Sequence, residues 1–245
     1  MSTPVFREKA QKIVTYMSGL EYDQLKQLWR CNDKLVEQNI ERMKDMDLNH
    51  QLTPAILAYE GIQYQYMKPG LMKQQEIEYL QGHLRILSGL YGVLRPLDGI
   101  VNYRLEMQSR LQGFSHGNLY DFWGSSLAEQ LLKQNDSNEN DSNENENGSD
   151  AGKSTVIINL ASKEYSKAVL PYLSDQTTVY HCIFAELVDG KPVEKGTFSK
   201  MARGEMVRYL AECQADRIEQ VMNFHEMGYT FSEEHSRKNQ LVFIK

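Results

Sequence analysis

Three cysteines, Cys31, Cys182 and Cys213, are all that 245 residues contain. They are odd in number and far apart, and no two stand in a Cys-x-x-Cys pair. That spacing indicates neither a thiolate zinc site nor a disulfide framework. No apolar run approaches the roughly 18 residues of a membrane span, and MSTPVFREKAQKI at the start has no signal-peptide core. These absences read as a reduced, cytoplasmic chain that does not enter a membrane. Catalytic signatures are missing too. There is no Gly-x-Ser-x-Gly, no His-Glu-x-x-His, no phosphate-binding P-loop and no Gly-x-Gly-x-x-Gly. The histidines show no metal-ligand spacing, so no catalytic residue, metal or cofactor is assigned.

Charge of one sign is scarce outside a single stretch. The formal charge is -6, but residues 135–150 hold six acids and no Lys or Arg. Without them 27 acids balance 27 bases, so any polyanion would have to meet a local patch. The stretch repeats Asn-Asp-Ser-Asn-Glu in tandem and has nothing to bury. It predicts a disordered acidic insertion at about 135–154 within one domain spanning 1–245.

What is present reads as helices first and strands later. Helical spacing of apolar residues predicts helices over 4–17, 21–46, 73–88 (ending at Gly89) and 118–134, with Thr53-Pro54 opening another. Thr155–Leu160 is a continuous apolar run fit for a buried strand, followed by a short helix in SKEYSKAV. Runs at 177–187 and 192–198 flank Asp189-Gly190, a hairpin signal. Helices are expected over 200–213 and 214–224, and 229–231 with 241–244 as a last hairpin. This layout predicts an α+β or mixed α/β fold around one mixed sheet.

One stretch asks for more than structure. In HLRILSGLYGVLRPLDGI, Gly89 and Gly92 bracket Leu90-Tyr91, and Arg85 and Arg95 stand on either side. One reading is a helix C-cap at Gly89. The other is a helix–hairpin–helix, whose glycines let backbone amides reach a phosphate of duplex DNA without reading bases. Arg104 or Arg110 could simply be paired to Glu106 or Asp98, and a structural role stands equally open for Arg85 and Arg95. In TFSKMARGEMVRYL, Ser199 can cap a helix, which would put Lys200 and Arg203 near a helix start, where cations oppose the dipole and suit an anion instead. Ordinary surface charge is the alternative. His181-Cys182 falls in a strand and reads as core, and Ser162 reads as a helix cap or, less directly, an active-site turn.

HLRILSGLYGVLRPLDGI with YRLEM, NLYDFWG, VIINLASKEYSKAV, KMARGEMVRYL and the closing GYTF and LVF together resemble the YaaA family of peroxide-stress proteins, in order, from about residue 20 to 245. The resemblance implies a cytosolic protein that limits oxidative damage to DNA and proteins by holding down free iron. It also implies a helix–hairpin–helix and a positively charged cleft that binds double-stranded DNA. Those features would map onto Arg85, Ser88, Gly89, Leu90, Tyr91, Gly92 and Arg95, and onto Lys200 and Arg203. An enzyme acting on DNA or a nucleotide through Lys200 and Arg203 is the alternative. Three departures stand out. Family members begin with an apolar strand and a Pro-Ala-Lys turn, whereas this chain starts at Met1-Ser2-Thr3-Pro4, so a first strand and a cleft lysine are expected to be missing. Met201 stands where the family has a second lysine. The acidic insertion is an addition.

Overall fold

The computed structural model describes residues 1–137 and 155–245. The expected acidic insertion lies almost wholly outside them. The fold is mixed α/β, as the order of elements predicted. Its residues group into two compact units. One comprises Met1–Ala58, the described part of Leu84–Ser142, and Ala161–Leu173; the other comprises Tyr59–His83, the described part of Asn143–Leu160, and Ser174–Lys245. No described helix is long and apolar enough to cross a membrane.

In the first unit, α1 (Arg7–Ser18) buries Ala10, Ile13, Val14 and Met17 at helical spacing. The long helix expected over 21–46 is two. α2 (Tyr22–Trp29) stops because Arg30 turns left-handed at φ 46°. α3 (Asp33–Lys44) restarts behind Asn32, whose side chain accepts from the Leu35 amide. Asn is a strong N-cap, and the cap decides where the second helix begins. Thr53–Pro54 forms a short strand, β1, ahead of α4 (Ala55–Ala58). The helix expected over 118–134 is likewise broken, into α7 (Leu119–Trp123) and α8 (Ser126–Ser137), at Gly124 with φ 49°. A short α9 (Lys163–Ser166) follows Ser162, whose side chain makes no cap hydrogen bond.

α5 (Ile62–Met67) and α6 (Gln74–His83) open the second unit. Its sheet runs in the order β5–β6–β9–β8, with β7 also on β6. β5 (Val156–Asn159), β6 (Thr178–Val188) and β9 (Gln240–Ile244) are parallel, and β8 (Thr230–Phe231) is antiparallel to β9. The Asp189-Gly190 hairpin forms as expected, with both residues at positive φ, 50° and 73°, the conformation that a tight hairpin with matching twist requires. Its second strand is short, β7 (Lys191–Val193), because α10 (Gly196–Glu212) already starts at Gly196. α11 covers only Ile218–Met222 of the expected 214–224.

The parallel register pairs Cys182 with Leu241 and Phe184 with Phe243. Strand side chains alternate in face, so these four share one side of the sheet. There they pack with Ala202, Met206 and Leu210 of α10 and with Phe224 and Tyr229. The Phe184 and Phe243 rings stack at 5.2 Å. Cys182 is part of this core, as its place in a strand suggested, and burial pushes its thiol up to about 12.

Candidate nucleic-acid interface

The Gly89–Gly92 turn is not part of a helix–hairpin–helix. α6 ends at His83, and the chain then forms β2 (Ile86–Ser88) and β3 (Gly92–Leu94), a tight antiparallel hairpin. The physical reason lies in the flanks. Ile86, Leu87, Val93 and Leu94 include β-branched residues whose side chains pair across strands, and Pro96 forbids a helix soon after the turn. The loop is Gly89-Leu90-Tyr91, closed by Gly92 at φ +75°, the usual three-residue pattern with a left-handed last residue.

The same turn is buried. Ser88 is 1% exposed and Leu90 and Tyr91 are 0% exposed. Trp123 Nε1 donates to the Gly89 carbonyl at 3.2 Å, and the Tyr91 amide donates to Ser88 Oγ at 2.8 Å. A Cβ on Gly89 would lie 2.6 Å from the Leu105 carbonyl oxygen. The glycines serve close packing of chain on chain, and the Tyr91 amide, one of those expected to hold a phosphate, is spent inside the protein. Ser88, Gly89, Leu90, Tyr91 and Gly92 therefore present no surface to a duplex.

The arginines beside the turn are placed differently. The register has Ile86 with Leu94 as its last pair, so Arg85 and Arg95 stand just beyond it at the open end of the hairpin, near enough for the charge of Arg95 to act on Arg85. Like charges set opposite each other on a strand pair oppose its formation. Asp98 sits close by, 4% exposed. Its Oδ1 accepts from Ser2 Oγ at 2.7 Å and its Oδ2 from the Arg95 main-chain amide at 2.8 Å. The carboxylate thus meets Arg95 through the backbone and not through the guanidinium. Among the described residues Arg95 makes no ion pair, and its Nε is buried with no hydrogen-bond partner. Arg85 donates Nη1 to the Leu84 carbonyl at 2.9 Å. Burial first, and then the like charge of Arg95, hold its guanidinium down at about 10, against the pull of Asp98.

Arg104 is structural, as one of its readings had it: Nε donates to the Trp29 carbonyl at 3.2 Å and Nη2 meets Glu106 at 3.3 Å.

In the second unit the helix start differs from expectation. Ser199 does not cap α10; it lies inside it, 3% exposed, with Oγ donating to the Phe184 carbonyl at 3.1 Å. Lys200 and Arg203 consequently lie beyond the first turn, and the dipole no longer argues for an anion there. Lys200 is exposed and makes no ion pair among the described residues. Arg203 is mostly buried, pairs with Glu194 at 3.4 Å, and leaves its own Nε without a partner. Burial pushes its guanidinium below the ordinary arginine value, while Glu194 and the adjacent Cys182 act in the opposite sense. No three His, Cys, Asp or Glu side chains converge among the described residues as metal ligands.

The family model described as peroxide stress protein YaaA matches residues 1–235. The chain belongs to this family. A UPF0246 protein of Pediococcus pentosaceus is 46% identical over 242 residues, covering 99% of this chain and 89% of that protein. Those of Lachnoclostridium phytofermentans and Lactiplantibacillus plantarum are each 42% identical, covering 99% and 100% of this chain and 88% and 91% of theirs.

For this family member the expected site divides in two. Arg85, Ser88, Gly89, Leu90, Tyr91, Gly92 and Arg95 belong to the first unit, Lys200 and Arg203 to the second. Asp98, expected as an ion-pair partner, instead fixes the Arg95 backbone. The facing of Arg85 and Arg95 was missed. Two short apolar pairs on either side of a three-residue turn carried that signal.

Proposed function

We propose that this family member acts in the cytoplasm under hydrogen peroxide stress, limiting free iron and with it the damage to DNA and proteins. We propose further that it binds double-stranded DNA weakly and without sequence preference. The name of the family supports the first reading at the level of the stress itself. The observation that carries the second is the positive charge left unmatched inside the chain: Arg95, half-buried and without an ion pair among the described residues, set opposite Arg85. Lys200 adds an exposed charge in the other unit. Such groups fit phosphates and carry no geometry for reading base edges. The glycine turn has no part in this reading.

Fluorescence anisotropy of a labelled duplex tests it. The affinity should fall log-linearly with salt, with a slope of about 0.9 for each phosphate neutralised. Arg95→Gln and Lys200→Gln should each lower that slope by about one, equally for unrelated sequences. A duplex that does not bind even at low salt, or a slope unmoved by both changes, overturns the reading.

A further inference from the structure

We infer that Arg85 and Arg95, facing each other across the open end of the β2–β3 hairpin, form a discrete site for one phosphate group. The inference deepens the duplex-backbone reading and rests on it for the source of the phosphate; the site itself follows from geometry.

The hairpin ladder ends at the Ile86–Leu94 pair, and the two arginines are the next residues on either strand, near enough for the charge of Arg95 to act on Arg85. Residues of two paired strands that face each other have Cβ atoms about 4.5–5.5 Å apart, and just beyond such a pair two guanidinium forks can reach one tetrahedral anion. The forks match phosphate oxygens in pairs. Among the described residues no side chain takes that anion's place at Arg95. Asp98 is the nearby carboxylate, and its two oxygens are occupied by Ser2 Oγ and the Arg95 amide. The Arg95 Nε–H is out of water and has no acceptor among the described residues. A buried donor without a partner leaves its desolvation uncompensated, the more so when it is charged, and a bridging oxyanion removes that cost together with the repulsion between like charges.

The frame around the pair is rigid. Ile86 and Leu94, the pair directly behind the arginines, are buried, and Asp98 pins the backbone of Arg95 through a four-residue turn. The backbone that carries the two arginines is thus set before a ligand arrives, which lowers the entropy lost on binding. The same fact separates this site from Lys200, whose ammonium is a mobile point charge on an exposed stem. The lysine should contribute to general attraction, the arginine pair to stoichiometric capture of one phosphate.

Inorganic phosphate is the probe. Thermal unfolding of the full chain would be followed against increasing phosphate, with chloride making up constant ionic strength. The expected result is a saturable rise in melting temperature, because a ligand bound only to the folded state stabilises it by mass action. Arg95→Gln and Arg85→Gln should weaken the apparent affinity about tenfold or more. Arg95→Lys guards against a folding artefact: it keeps the charge and loses the fork, so it should fold like the parent and still bind phosphate poorly. A phosphate effect no larger than that of chloride, or one that survives Arg95→Gln, sinks the inference. Duplex anisotropy on the same proteins keeps the two readings apart. If phosphate does not bind but the duplex does, the site is wrong and the DNA reading stands. Saturable phosphate binding lost in Arg95→Gln, with no duplex binding in the parent, leaves the site standing with free phosphate as its ligand.

Discussion

Gly89 shows how one residue can carry two incompatible readings. A glycine before an aromatic turn is what a phosphate-binding hairpin needs, and it is also what a crowded chain crossing needs. The Leu105 carbonyl decides for the second. A Cβ would stand 2.6 Å from that oxygen and 3.2 Å from the Glu106 carbonyl carbon, both backbone atoms that cannot rotate away. Gly89→Ala is therefore expected to destabilise the protein by about 1–3 kcal/mol through overpacking, read as a lower denaturation midpoint at unchanged denaturant sensitivity. Duplex binding by the fraction that remains folded should match the parent. A normal midpoint with lost binding would return Gly89 to the interface.

The same logic governs elements, with larger consequences. α5 and α10 meet where Gly204 faces the backbone of α5. A Cβ there would lie 2.0 Å from the Gln63 carbonyl oxygen and 3.0 Å from the Met67 amide. Two helices can approach this closely only over a residue with no side chain. Gly204→Ala must push them apart or unwind one, and should cost about 3 kcal/mol or more. Urea denaturation measures it, and a cost below about 1 kcal/mol would mean that the helices slide past each other freely. Periodicity in the sequence did find α10, to within four residues at its start, because Met206, Val207 and Leu210 recur on a buried stripe. It placed strands at 155–160 and 177–187, and the Asp189-Gly190 turn from two residues that tolerate positive φ, but β5 is not the buried strand its apolar run predicts, since Val156 is exposed and the rest half-buried. It did not find the breaks. Arg30 and Gly124 interrupt apolar patterns that continue in phase across them, so a hydrophobic count sees one helix where the backbone makes two. The hairpin at Gly89 was missed for a related reason. The stretch from Leu84 to Leu90 is apolar at helical spacing and equally at strand spacing, and so short a run does not tell the two apart. The candidate site was legible as residue types, since arginines near a tight turn can be seen in the chain. Which of them face each other depends on register, and that follows from the hairpin alone.

At the scale of the whole molecule, burial of weak acids ties stability to pH. Cys182, at the centre of one unit, is held up near 12 from an ordinary 9.0. Tyr79, Tyr91 and Tyr165 are held up near 12 from 10.0. In each, removal from water is the leading cause, and it disfavours the charged form. In the unfolded chain these groups lose their protons at ordinary values, while the folded chain keeps them. The unfolded state therefore binds fewer protons between about pH 9 and 12, and stability must fall as pH rises through that window. Below pH 9 both states hold these protons, and they add no slope. The thiol acts first, from about 9, and the phenols follow from about 10. Within its window a fully buried group contributes a slope on the order of 1.4 kcal/mol per pH unit. Guanidinium denaturation at half-unit steps from pH 8 to 11 should give a level line to about 9, then a decline that steepens past 10. Cys182→Ala lowers the whole line through the cavity it leaves, but it should postpone the onset of decline to the phenol range. An onset still at 9 in that variant would mean that another group, not the Cys182 thiol, sets the alkaline limit.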